Sequence, residues 1–252
     1  MVTPATRHDN TPTGLLRRSR RSALSGRRPG QAEEMASTGG VPAGSALAGQ
    51  ARGGTPRAAL AELLAGNRRF VSGQPVHGHD VTAAAATASG DQQPYAVVLG
   101  CIDSRVPLEA IFDQTFGSIC VIRTGAHVLD RAVLGSIEYV VEVLGVALVM
   151  VLGHERCGAV QATAESLRAG RRPAGALAHL VDRITPAVTE VGMDEPHLLP
   201  LAVRRHVVRT VAALRADPRL APPVAAGRVA VTGAVYDLAT GEVALLDPPH
   251  RA

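Results

Sequence analysis

The sequence predicts an α/β fold: a central, mainly parallel β-sheet flanked by helices. Three observations carry this. Short apolar runs bounded by turn residues alternate with segments of helical periodicity along residues 95–247, the pattern of strands joined by crossover helices. The runs are continuous rather than alternating, as strands covered on both faces require. The residues richest in chemistry form two short clusters about fifty positions apart in the sequence. Each closes one of these runs, and open α/β sheets place their sites at the carboxyl ends of strands.

Each element can be justified in turn. "TPRAALAELLAGNRRFVSG" (55–73) has Leu60, Leu63, Leu64 and Phe70 at helical spacing, with Thr55 as N-cap and Pro56 at the first helical position. A polar, Ala-rich connection follows to about Gln93. "YAVVLGCID" (95–103) reads as a buried strand, "PLEAIFDQ" (107–114) as a short helix opened by Pro107, and "SICVIRTG" (118–125) as a second strand. "DRAVLGSIEYVVEVLG" (130–145) places Val133, Ile137, Val140, Val141 and Leu144 on one helical face and stops at Gly145. "VALVMVLGH" (146–154) is a third strand and "AVQATAESLRAG" (159–170) the helix after it. Residues 171–200 read as a variable stretch with Pro and Gly, and 197–217 as helical in its latter part. "VAVTGAVYDLATGEVALLD" (229–247) reads as strand, turn and last strand.

The chain has 252 residues, 46% hydrophobic and only 2% aromatic, enough for one core filled by Ala, Val and Leu. Its net charge of +4 is local. Residues 1–34 hold seven arginines (7, 17, 18, 20, 21, 27 and 28) against Asp9, Glu33 and Glu34, a surplus equal to the whole. The folded part is therefore neutral, which argues against a nucleic-acid-binding face. Residues 1–55 read as a disordered basic arm, and 56–252 as the folded domain. "RRSRRSALSG" faintly resembles a twin-arginine export signal but lacks the apolar stretch after it, and Met35 is an alternative start. A cytoplasmic location is the expectation. No run approaches the roughly 18 apolar residues of a membrane span. Three widely spaced cysteines make no disulfide framework; they suit a reducing compartment or a metal site.

The two clusters are "GCIDSRV" (100–106) and "LGHERCGAV" (152–160). Cys101, His154 and Cys157 offer two thiolates and an imidazole, a set that suits zinc with one position left open. Gly153 and Gly158 are candidates for the tight backbone this needs. Inert core thiols and a strand-end histidine are the other reading. Asp103 and Arg105 lie two apart, so an extended segment would project them to one side as a bidentate pair. Beside a metal, that carboxylate could take the fourth position or accept a hydrogen bond from a bound water; otherwise the pair is a local salt bridge.

C-x-D-x-R followed by H-x-x-C resembles the β-class carbonic anhydrases. The flanks are similar as well: "FDQ" (112–114), "VIRTGAHV" (121–128), "GSIEYVVEVLGV" (135–146), "VVRTVAALR" (207–215) and "GAVYDLATGEV" (233–243). The resemblance covers about residues 56–247. It implies a Zn2+ enzyme that converts carbon dioxide reversibly to bicarbonate and a proton through a zinc-bound hydroxide. Cys101, His154 and Cys157 would bind the metal. Asp103 and Arg105 would form the catalytic dyad, with Asp103 as fourth ligand in a closed state. Gln92 (with Gln93 beside it), Cys120 and Gly158 would line the substrate pocket, and the chain would form a homodimer or an assembly of dimers. His127 and Asp130 are loose candidates for relaying the proton.

Two departures from the family's pattern stand out. Cys120 stands where an aromatic side chain of the pocket is common. That leaves carbonyl sulfide or carbon disulfide hydrolysis as an alternative, beside a non-catalytic zinc-stabilised binding protein. The common R-x-A-G reads "RTGAH", with Gly125 and Ala126 exchanged; a positive φ at the second position would strain Ala126 by about 1 kcal/mol or more.

Overall fold

The computed structural model describes residues 54–88 and 92–246. The expectations for the basic arm, its export signal and its start fall almost wholly outside that range. Helix α1 (Pro56–Val71) begins where the capping pattern predicts: the Thr55 hydroxyl accepts the Ala58 amide at 3.2 Å and Pro56 occupies the first turn. α1 buries Ala59, Leu60, Leu63, Gly66 and Asn67. A Cβ at Gly66 would lie 1.7 Å from the Phe112 carbonyl oxygen, so this helix packs directly on main chain.

Five strands form one sheet: β1 (Ala96–Cys101), β2 (Ile119–Thr124), β3 (Leu148–His154), β4 (Ala230–Tyr236) and β5 (Val243–Leu245). Their order is β2-β1-β3-β4-β5. The first four are parallel and β5 closes one edge antiparallel. The period of two sorts each strand between two cores. Val97, Leu99, Cys101, Val149 and Val151 face a cluster shared with Val133, Ile137, Ile184, Val207 and Val211. Ala96, Val98, Leu148, Met150 and Leu152 face the other, with Leu60, Leu63, Leu108 and Phe112.

Helices α3 (Leu108–Ile111), α4 (Arg131–Glu142) and α5 (Gly158–Arg168) match the predicted elements. A 3-10 turn (Gly125–His127) follows β2. Four details differ from the sequence reading. The 74–93 connection contains a short helix, α2 (Val81–Ala86), because the Asp80 carboxylate accepts the Ala83 amide at 2.9 Å and caps an alanine run. The 171–200 stretch contains a full helix, α6 (Leu177–Val191), which buries Ile184, Ala187 and Val188 at helical spacing; the interior Pro186 obscured it. α7 (Leu198–Arg215) is helical from its start, since Pro200 falls in the first turn, where no amide is needed. α8 (Ala221–Ala225) tolerates its two prolines for the same reason.

Candidate metal centre

Cys101 is the last residue of β1 and His154 the last of β3. Cys157 sits just before α5. The loop between His154 and Cys157 turns at Arg156, whose φ is 51°. This corrects the expectation about the glycines: neither Gly153 nor Gly158 adopts a positive φ. Gly153 is required by packing instead, since a Cβ there would lie 2.6 Å from Val207 on α7, whereas a Cβ at Gly158 would meet open space.

The ligand atoms of Cys101, His154 and Cys157 are buried and lie within 4.8 Å of one another. The two sulfurs are 3.9 Å apart. Two thiolates on one tetrahedral zinc, each about 2.3 Å from the ion, stand roughly 3.8 Å apart. The imidazole is set correctly too. His154 Nδ1 lies 2.8 Å from the Glu155 carbonyl oxygen, which can only accept, so Nδ1 carries the proton and Nε2 keeps its lone pair. Nε2 is buried and has no hydrogen-bond partner among the described residues. An orphaned acceptor beside two close sulfurs fits a soft cation, and zinc fits the donor set.

The two thiols are pushed in opposite directions. Cys101 is held well below its usual range, chiefly by the hydrogen bond from the Cys157 thiol and further by main-chain amides, against the effect of burial. The Ala126 amide donates to Cys101 Sγ at 3.3 Å. Cys157 is pushed up because it gives its hydrogen to Cys101 and is buried. One thiolate is therefore ready, and a cation is needed to release the second proton.

Asp103 and Arg105 do form the predicted bidentate pair: Nε to Oδ1 at 2.9 Å and Nη2 to Oδ2 at 2.7 Å. The route differs from the prediction. The segment is a turn rather than an extended strand, closed by Val106 N–H to the Asp103 carbonyl at 3.0 Å, and the Arg105 amide also donates to Asp103 Oδ1. The Arg105 guanidinium holds the Asp103 carboxyl far below its usual range. Asp103 Oδ2 lies 3.9 Å from His154 Nε2, at the rim of the three-ligand cluster.

The other sequence candidates are placed elsewhere. Cys120 pairs in register with Val97 and Cys101 with Thr124, so Cys120 stands four residues, roughly 13 Å, down the sheet from the cluster. It lines a surface groove with Ile122, Gly135, Ser136 and Tyr139. Gln92 and Gln93 are exposed and precede β1; the strand alone separates them from Cys101 by roughly 16 Å. Within one protomer they do not reach the cluster. Asp130 caps α4 by accepting the Val133 amide. His127 is buried rather than on the surface, stacked on His206 of α7 with ring centroids 4.6 Å apart.

Sequence reasoning assigned no role to three groups beside the cluster: the Ala126 amide, the His127–His206 stack, and Arg123. Ala126 does take the left-handed conformation, φ 50° and ψ 41°, as its position in the motif warned. A Cβ at Gly125 would lie 2.8 Å from a terminal methyl of Leu180 on α6, which would have to move aside. A charge at the end of an otherwise apolar strand was the available hint for Arg123.

Comparison with known proteins agrees with this geometry. Residues 96–243 match the family model described as carbonic anhydrase. A carbonic anhydrase from Mycolicibacterium smegmatis is 44% identical over 194 residues, 75% of this chain and 93% of that one. Among solved structures, a tetrameric β-carbonic anhydrase from Sordaria macrospora superposes with a TM-score of 0.60 at 21% identity, over 75% of this chain and 97% of that one. A Coccomyxa β-carbonic anhydrase in complex with acetazolamide gives 0.56 at 25% identity, over 74% and 86%.

Proposed function

Because the chain belongs to the carbonic anhydrase family, with the fold of the β class, we propose that its reaction runs at a zinc ion held by Cys101, His154 and Cys157, with Asp103 and Arg105 as the catalytic pair. The reaction is the reversible hydration of carbon dioxide: carbon dioxide and water give bicarbonate and a proton. The observation that carries the assignment is the Asp103 carboxylate, fixed by Arg105 and standing 3.9 Å from the orphaned His154 Nε2. Zinc bound there supplies Lewis acidity that makes water a nucleophile near neutral pH.

The chain's own residues supply orientation and charge. Asp103 is ionised and keeps one lone pair, on Oδ2, free beyond the three that Arg105 engages. It accepts the nucleophile's hydrogen bond and turns the nucleophile's other lone pair toward the substrate carbon. Arg105 holds Asp103 back from the ligand cluster, which would leave room for water beside a metal held there. A structural metal site has no use for such a pair, which tells against a non-catalytic protein. Within one protomer Cys120 stands roughly 13 Å down the sheet from the cluster, so nothing at the cluster itself favours the sulfur-substrate alternative.

The chain acts as a homodimer or an assembly of dimers in this reading. β2 is an edge strand, and next to it Tyr139 and Val143 on the α4 side are more than half exposed. A second copy against this edge covers them. The reading also keeps the protein in the cytoplasm, where thiols 3.9 Å apart stay reduced.

The test is zinc content together with stopped-flow hydration at about pH 7 and pH 8.5, for the native chain and Asp103→Asn. One zinc per chain is expected in both, with hydration reduced on the order of a hundredfold or more in the variant. Zinc without hydration in the native chain would overturn the reading.

A further inference from the structure

We propose that Arg123 is a positioning residue: its guanidinium clamps the main chain that carries Cys101 and Asp103 and so fixes the catalytic carboxylate. The inference rests on the role given to Asp103 above. Arg123 lies on edge strand β2, opposite Gly100 in the register. Its Nε donates to the Cys101 carbonyl at 2.9 Å and its Nη2 to the Asp103 carbonyl at 2.7 Å. Among the described residues it forms no ion pair with a carboxylate. A planar fork is thus spent on two carbonyls two residues apart, a geometry one ammonium cannot reproduce.

The clamp matters because of where the sheet stops. The β1–β2 ladder ends at Cys101, with one more bond from the Ile102 amide to Thr124 at 2.9 Å. Beyond it Asp103 stands on a free turn. Arg105 holds its carboxylate, but the Arg105 side chain is itself 52% exposed, and an exposed ion pair is a weak anchor. The Asp103 carbonyl receives both Arg123 Nη2 and the Val106 amide. Arg123 therefore ties the turn to the rigid strand beside it, and through the turn it orients Asp103.

The zinc-loaded full chain tests this with Arg123→Lys, which keeps the charge and loses the fork, and Arg123→Gln as a second variant. Zinc content is expected to stay at one per chain. Hydrogen exchange at the Ile102 and Val106 amides is expected to rise on the order of tenfold, with the rest of the sheet unchanged. kcat is expected to fall on the order of tenfold with KM within about twofold, because misplacement acts on the transition state. In an Asp103→Asn background the same substitution is expected to change kcat less than about twofold, since its target is gone. Equal factors in both backgrounds, or unaltered exchange at Ile102 and Val106, would overturn the proposal while leaving the role of Asp103 intact. Full hydration by Asp103→Asn alone would overturn both.

Discussion

The His127–His206 stack makes the scaffold of the metal centre sensitive to acid, and the size of the effect can be worked out. His206 is buried on α7, and burial lowers it from 6.5 to about 4; Arg209 and Arg183 push the same way, and the Ala126 carbonyl only partly offsets them. His127 is lowered as well, first by burial and then by His206. Both are neutral in the fold, whereas in the unfolded chain each binds a proton below about 6.5. The unfolded state thus holds more protons between pH 6.5 and 4, and stability falls as pH falls through that window. At pH 5 His206 alone costs about 2 kcal/mol relative to pH 8, or about 4–8 °C in Tm for a chain of this size. The perturbation is His206→Phe, which keeps a ring against His127 and removes the titration. The assay is thermal unfolding of the zinc-loaded protein at pH 8 and pH 5, native against variant. Protonation of metal ligands is common to both and cancels in the difference. The variant is expected to lose about 4–8 °C less than the native chain between the two pH values. An equal loss in both refutes the reasoning.

Further outcomes follow from the same geometry. Removing metal with a chelator is expected to lower Tm by about 8–16 °C, from about 4 kcal/mol at a free zinc concentration a thousandfold above Kd; calorimetry with and without chelator checks it. Gly66→Ala puts a Cβ 1.7 Å from the Phe112 carbonyl oxygen and should cost about 3 kcal/mol or more in urea unfolding. Ala126→Gly should leave stability within about 1 kcal/mol. It relieves about 1–2 kcal/mol of left-handed strain, but frees the unfolded chain by about 0.4–1 kcal/mol and loses a buried methyl of about 0.8 kcal/mol. Gly125→Ala brings a Cβ against a terminal methyl of the half-buried Leu180, which can move aside, and should destabilise by about 1 kcal/mol in the same urea measurement.

How much of this was legible in the sequence depends on the range of the interactions. The five strands and the helices α1, α3, α4 and α5 are written locally, in apolar runs, caps and stops. α6 was hidden because its amphipathic stripe is interrupted by Pro186 and flanked by Gly and Pro. The ligand triad could be read because parallel strands end together, so two motifs at strand ends meet. The groups around the triad could not. That Gly153 is needed against Val207, that His127 finds His206, and that Arg123 reaches two carbonyls of another strand are tertiary facts. Gln92 and Cys120 were assigned by likeness to a pocket, and no single protomer brings them to the triad.

The strained backbone completes the account of why the site holds its shape. Among the described residues, four that are not glycine have positive φ: Asp113, Ala126, His127 and Arg156. Three of them border the cluster. Left-handed residues cost about 1–2 kcal/mol each, so they persist only where surrounding structure over-determines them. His127 is held against the His206 ring of α7, and Leu180 of α6 lies beside Gly125 at the start of the turn. The conformation of the turn aims the Ala126 amide at Cys101 Sγ. Arg156 bends the chain between two buried ligands, His154 and Cys157, each within 4.8 Å of Cys101. Asp113, away from the site, is held by Arg69 and by the Val76 and His77 amides. Strain at the centre is thus opposed by packing from α6 and α7, helices that contribute no ligand. Their substitution should reach the metal through the 3-10 turn rather than through any direct contact.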